Sequence, residues 1–164
     1  MPARASTYDD GSMTVDLPHD LFIAIDHVGI AVADLDVAKT FYRETFGMET
    51  VHEEVNEDQG VLEAMVRVGP AGDASGAMIQ LLAPLDETSA IAKFLDRNGP
   101  GVQQVAYRVA DVEAVAKTLR DRGVRLLYDA PRRGTAGSRV NFVHPKDAGG
   151  VLVELVEPAA EQPH

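Results

Sequence analysis

Along this chain apolar positions recur every second residue in some stretches and every third or fourth in others, and the whole alternation occurs twice. Phe22–Val32, rich in Ile and Val, reads as a strand. Asp34 is placed to cap a helix whose apolar positions Leu35, Ala38, Phe41 and Tyr42 keep helical spacing, with Gly47 to close it. Met48–Val55, Val61–Val68 and Ala77–Ala83 then read as strands, separated by a turn at Asn56–Gly60 and a loop of small residues at Gly69–Gly76. A short helix with Ile91, Phe94 and Leu95 on one side, followed by Gly99, lies between Leu85 and Pro100. The order then repeats. Strand Gln104–Val109 leads to Asp111 as cap, to a helix with Val112, Val115, Ala116 and Leu119 on one face, and to Gly123 as its terminator. Strands are predicted at Val124–Tyr128, Arg139–Val143 and Val151–Glu157, with a Gly- and Arg-rich loop from Pro131 to Ser138.

The pattern predicts an α+β fold built from two tandem βαβββ modules, residues 21–84 and 104–158, joined by a helical linker at 85–103. Neither module can readily bury both faces of its own sheet, so the pair is expected to pack as one unit. Residues 1–20 and 159–164 show no periodicity and are expected to be flexible tails.

The duplication extends to polar residues that interrupt apolar strands. Asp26-His27-Val28-Gly29-Ile30-Ala31-Val32 returns in the second half as Gln103-Gln104-Val105-Ala106-Tyr107-Arg108-Val109. Ile79-Gln80-Leu81-Leu82 returns as Val153-Glu154-Leu155-Val156. Each half thus places one polar side chain, His27 or Gln104, in its first strand and another, Gln80 or Glu154, in its last. Because side chains alternate across a strand, His27 shares its face with Gly29 and Ala31, residues small enough to leave room above them. A Glu in an apolar strand is costly without a partner, and a divalent cation is one such partner. Taken singly, each of these residues reads as a hydrogen-bonded or solvated side chain. Their coincidence in both halves points to a shared polar or metal site on a pseudo-twofold axis.

Composition narrows the chemistry. There are 15 basic and 26 acidic residues, a formal charge of −11 and a pI near 4.7. That field repels nucleic acids and anionic membranes. Hydrophobic content of 45% is ordinary for a globular protein. The absence of cysteine removes disulfides, thiolate metal sites and cysteine nucleophiles. No stretch is long and apolar enough to span a bilayer as a helix, and residues 1–20 lack a signal-peptide core, so a cytoplasmic location is expected.

From Ile23 to Glu157 the chain resembles the vicinal oxygen chelate (glyoxalase/bleomycin resistance) superfamily and, within it, the methylmalonyl-CoA epimerases. The resemblance is carried by Asp26-His27-Val28-Gly29-Ile30-Ala31, by Glu54-Val55-Asn56-Glu57-Asp58-Gln59-Gly60-Val61 with Glu63 after it, by Ala83-Pro84-Leu85, by Ile91-Ala92-Lys93-Phe94-Leu95, and by His144-Pro145-Lys146-Asp147 running into Gly150-Val151-Leu152-Val153-Glu154-Leu155. It implies a cupped, mostly antiparallel sheet around one divalent metal ion (cobalt, manganese, nickel, zinc or magnesium). The implied ligands are His27, Gln80, Gln104 and Glu154. Gln104 departs from the family pattern, which has a second His there in a Gly-x-His-His motif, and a carboxamide makes the site harder and weaker for borderline metals.

The implied reaction interconverts (R)- and (S)-methylmalonyl-CoA in propionate metabolism through α-proton abstraction and a metal-stabilised enolate. Glu63 is the implied base and Glu154 the second acid–base group; a solvent-exposed pair with Arg67 is the alternative reading of Glu63. For the coenzyme A phosphates the basic residues Arg132, Arg133, Arg139 and Lys146 are candidates, with backbone N–H groups at Gly134 and Gly137. His144 reads as a turn residue, and His19, His52 and His164 fall in no constellation. A homodimer is implied. A lactoylglutathione lyase-like enzyme, another enzyme of the superfamily such as a ring-cleaving dioxygenase, or a non-catalytic small-molecule-binding protein of the same fold are the alternatives.

Overall fold

The computed structural model describes residues 5–7, 13–15, 21–70 and 76–160. Within the N-terminal segment expected to be a tail, strands β1 (Ala5–Thr7) and β2 (Met13–Val15) pair antiparallel. The loop at 69–76 and the C-terminal tail fall partly outside the described residues.

The first half runs β3 (Phe22–Ala31), α1 (Leu35–Phe46), β4 (Thr50–Asn56), β5 (Val61–Arg67) and β6 (Met78–Pro84). After α2 (Ala90–Asn98), the second half runs β7 (Gly101–Val109), α3 (Val112–Asp121), β8 (Arg132–Arg133), β9 (Arg139–Val143) and β10 (Val153–Glu157). The expected caps are present: the carboxylates of Asp34 and Asp111 accept from the backbone N–H groups of Val37 and Ala114, and Gly47 closes α1 in the left-handed region at φ 69°. Strand β7 opens at Gly101 rather than Gln104, so the end of the expected linker is sheet.

Eight strands form one sheet in the order β4-β5-β6-β3-β7-β10-β9-β8. That order reads the same from either edge once the halves are exchanged, as a duplicated unit requires. Within each half the first strand lies parallel to the last, β3 beside β6 and β7 beside β10; the remaining neighbours, including the central β3–β7 pair, are antiparallel. Helices α1 and α3 cover one face, and α2 packs on the other against Ala31, Val61 and Leu82. Ile30, Val32, Leu35, Ala38 and Tyr42 pack on Ala64, Val66 and Leu81 under α1, and Val109, Val112, Val115 and Leu155 form the equivalent core under α3. The face under α2 also holds the buried side chains of His27, Glu63, Gln80, Gln104 and Glu154.

One expected strand is absent. Val124–Tyr128 makes a single bridge, Leu126 to Val143. Two backbone bonds to the β9 end flank it, Leu127 N–H to Phe142 O at 2.8 Å and His144 N–H to Arg125 O at 2.9 Å. Side chains take the neighbouring groups: the amide of Asn141 bonds the N–H and the C=O of Tyr128 at 3.1 and 3.0 Å, and the N–H of Arg125 donates to Asp147. The edge place beside β9 passes to β8, in the loop read as irregular.

Candidate functional site

Two rows across the centre of the sheet build the site. In one, Gln80 of β6, Gly29 of β3 and Gln104 of β7 are direct cross-strand partners; in the other, His27 of β3, Ala106 of β7 and Glu154 of β10 are. Exchange of the halves turns one row into the other. Each row has a small residue at its centre and a polar side chain on either flank. Neighbouring strands lie about 4.8 Å apart, so four long side chains from one face lean together over Gly29 and Ala106. All four are buried, at 2% to 6% exposure.

Their heads touch. The Nε2 amide of Gln104 donates to Glu154 Oε2 at 2.5 Å and to Gln80 Oε1 at 3.1 Å, and lies 3.4 Å from His27 Nε2. His27 Nε2 is 3.5 Å from Glu154 Oε2. The room above Gly29 is therefore taken by Gln104 itself. Asp26 Oδ2 holds the far nitrogen of His27, Nδ1, at 2.7 Å, and Arg108 Nε donates to Asp26 Oδ1 at 2.9 Å. This chain fixes the ring with Nε2 toward the cluster, as carboxylates behind ligand imidazoles do. Burial alone would lower the imidazole's pKa, but hydrogen bonding to Asp26 and Glu154 and their negative charge outweigh it and push it up to about 9.

Glu63 stands beside this cluster and is only 2% exposed, so the surface Glu–Arg reading is excluded. Gln80 Nε2 donates to its Oε2 at 3.0 Å, and the hydroxyl of Thr135 donates to the same oxygen. Gln80 thus touches the cluster through Oε1 and Glu63 through Nε2. Burial pushes the Glu63 carboxyl above the ordinary carboxylate range; hydrogen bonds from Thr135 and Asn56 oppose the rise, and the charges of Glu54 and Glu154 add to it.

Among the described residues no three His, Asp or Glu side chains by themselves form a metal cluster. The constellation reaches four members only because two of them are carboxamides. Beside it, a cavity of about 410 Å³ is lined by Gln103, Gln104, Leu82, Tyr128 and Phe142; the side-chain oxygen of Gln103 is buried and has no hydrogen-bond partner.

The basic residues do not assemble into one patch. Arg132 stacks on the Tyr128 ring at 3.9 Å from its centroid, at the cavity, and Arg133 lines a separate cleft with Glu54, Glu57 and Asp58. Arg139 is engaged by Glu113 and Glu157 at 2.6 and 3.2 Å. Lys146 is exposed in the turn that follows β9, beyond the strand end opposite Arg139. The N–H of Gly134 already donates to Ser138 O, so it is not open to an anion. His144 accepts from the Lys146 N–H through Nδ1, in keeping with its reading as a turn residue; His19 and His164 lie outside the described residues. Sequence reading missed Asp26, Thr135, Gln103 and His52, the last of which bonds Glu54 at 2.6 Å. Asp26 was within reach as the residue preceding the candidate ligand. Thr135, in an irregular loop far along the chain, carried no signal.

The family model of the Glyoxalase/Bleomycin resistance protein/Dioxygenase superfamily matches residues 26–142. The chain is 61% identical to methylmalonyl-CoA epimerase from Mycobacterium tuberculosis, with a TM-score of 0.82 over 88% of this chain and 94% of that one. A methylmalonyl-CoA epimerase in complex with methylmalonyl-CoA and NH4+ is 53% identical, with a TM-score of 0.80 over 87% of this chain and 99% of that one. The ethylmalonyl-CoA/methylmalonyl-CoA epimerase of Cereibacter sphaeroides is 38% identical over 80% of this chain and 95% of its own length. With the paired βαβββ topology and the duplicated polar rows, these likenesses make the chain a member of the glyoxalase superfamily and, within it, of the methylmalonyl-CoA epimerase family.

Proposed function

We propose that this protein interconverts (R)- and (S)-methylmalonyl-CoA, with Glu63 as the base that removes the α proton. The observation that carries this reading is the contact of a single side chain, Gln80, with both the buried carboxyl of Glu63 and the cluster of His27, Gln104 and Glu154. A proton between a thioester and a carboxylate is removed most readily by a base whose pKa lies nearer neutrality, and burial moves Glu63 in that direction. Glu154 is the proposed second acid–base group, supplied from the other half of the sheet. The cavity lined by Leu82, Tyr128 and Phe142 would take the acyl–pantetheine arm.

His27, Gln80, Gln104 and Glu154 fit a divalent cation. One imidazole nitrogen already faces the cluster, Gln80 turns its oxygen there, Glu154 brings a carboxylate, and half a turn of the Gln104 amide presents Oε1 in place of Nε2. Such a cation supplies positive charge where negative charge develops on the thioester oxygen. Membership of propionate metabolism and assembly as a homodimer belong to the same reading; exposed Ile23 and Ile25, on one face of β3 beyond the site, supply apolar surface for the latter.

Incubation of metal-loaded protein with methylmalonyl-CoA in deuterium oxide tests the reading. Label enters the α-carbon, and a chelator stops it. No label under any metal loading, with substrate still bound, would instead indicate a binding protein of this fold. Because the Cereibacter relative is named for ethylmalonyl-CoA as well, the assay with that substrate measures how far the cavity tolerates a longer acyl group.

A further inference from the structure

The turn that covers Glu63 comes from the other half of the protein. Thr135–Gly137 forms a tight turn between β8 and β9 in which Ala136 adopts φ 56° and ψ 34°, left-handed backbone that disfavours a residue with a Cβ. Two carboxylates hold consecutive residues of this turn. The hydroxyl of Thr135 lies on Glu63 Oε2, and the N–H of Ala136 donates to Glu54 Oε2 at 3.2 Å. Glu54 and Glu63 are direct partners across β4 and β5. Like charges facing each other across a ladder are unfavourable. Here each finds a donor on the same turn, and Glu54 has His52 as well, at 2.6 Å.

We infer that Glu54 is a positioning residue for Glu63: by holding the Ala136 N–H it keeps the strained turn closed, so that the Thr135 hydroxyl fixes the aim of the Glu63 carboxylate beside Gln80. The inference rests on the reading of Glu63 as the base. Glu54 touches neither the ligand cluster nor the cavity beside it. Its effect passes through one backbone hydrogen bond and one hydroxyl.

The test compares Glu54→Ala, Glu54→Gln and Glu54→Ala combined with Ala136→Gly, in the metal-loaded protein, by α-carbon deuterium exchange and by amide hydrogen exchange of the 134–138 segment. Glu54→Ala lowers kcat about ten-fold while KM changes less than about two-fold, because a misaimed base loses rate and not affinity. Exchange of the turn amides rises roughly ten-fold in the same variant. Glu54→Gln keeps an acceptor oxygen and holds both values within about three-fold of wild type. Ala136→Gly, which removes the left-handed penalty, restores most of the lost kcat to Glu54→Ala. Wild-type kcat in Glu54→Ala, turn amides as slow as in wild type, or no recovery in the double variant each overturns the inference. A wild-type protein without exchange activity removes the base assignment instead, and amide exchange alone then decides whether Glu54 holds the turn.

Discussion

Gly29 and Gln104 are partners across the central strands, and Gln104 occupies the space a side chain at position 29 would need: a Cβ there would lie 2.4 Å from Gln104 Cγ and 3.0 Å from its Cδ. The glycine is thus a requirement of the site rather than of the strand. Gly29→Ala should push Gln104 away from Glu154 and Gln80. We expect a fall in kcat of roughly 10- to 100-fold from this displacement, and a loss of stability of about 1–3 kcal/mol from overpacking. Exchange kinetics and thermal unfolding measure the two; an active, equally stable variant would show that Gln104 is free to move.

Glu63→Gln keeps the size of the buried side chain and its contacts with Gln80 and Thr135 while removing its basicity. Loss of at least about 100-fold in α-proton exchange is expected, with the fold and metal content retained. Wild-type-like turnover in this variant would take Glu63 out of the mechanism.

The metal-free protein should lose stability as pH rises. His27 has its pKa raised from 6.5 to about 9 by Asp26 and Glu154, so the folded state holds its proton more tightly than the unfolded state. The resulting stabilisation is fully present below 6.5 and is lost as pH rises through about 9. Its upper bound is roughly 3 kcal/mol at 1.36 kcal/mol per unit. Asp26→Asn removes much of this pH dependence. Bound metal reverses it, since a cation must displace the proton and so binds more tightly as pH rises. Unfolding curves with chelator and with metal, taken across this range, check both signs.

If the proposed cation site is right, replacing the carboxamide of Gln104 should strengthen it. Gln104→His presents imidazole in place of amide and is expected to raise affinity for nickel, cobalt or zinc by about ten-fold or more, with little gain for magnesium. Competition against a chromophoric chelator measures this, and equal affinities would argue that Gln104 is not a ligand.

Among the basic residues, Arg132 and Arg133 should affect substrate and Arg139 should not. Charge reversal at Arg132 and Arg133 is expected to raise KM at least about five-fold with kcat little changed. Arg139→Glu breaks two exposed ion pairs, to Glu113 and Glu157, and should leave KM unmoved. An unchanged KM in the first pair would discard them as phosphate partners.

Much of the fold was legible because burial writes itself into local periodicity. α1 and α3 begin directly after Asp34 and Asp111, α1 closes at Gly47, and the central strands β3 and β7 largely alternate in burial along their length. Val124–Tyr128 makes only one bridge to β9, because its pairing stops at Leu127 and Asn141 takes both backbone groups of Tyr128. Glu63 was equally open to a surface reading. A buried carboxylate and a solvated one look alike when only the alternation of its own strand is visible.

By itself the sequence determined that one unit is used twice and that His27, Gln80, Gln104 and Glu154 hold equivalent places, since duplication and side-chain alternation are local properties of the chain. Only the tertiary structure decided that Gly29 and Ala106 bring those four heads into contact, that Thr135 closes over Glu63, and that the basic loop disperses. Each of these depends on which strands become neighbours and how a loop from one half falls on the other, a matter of packing between segments that no short-range pattern encodes.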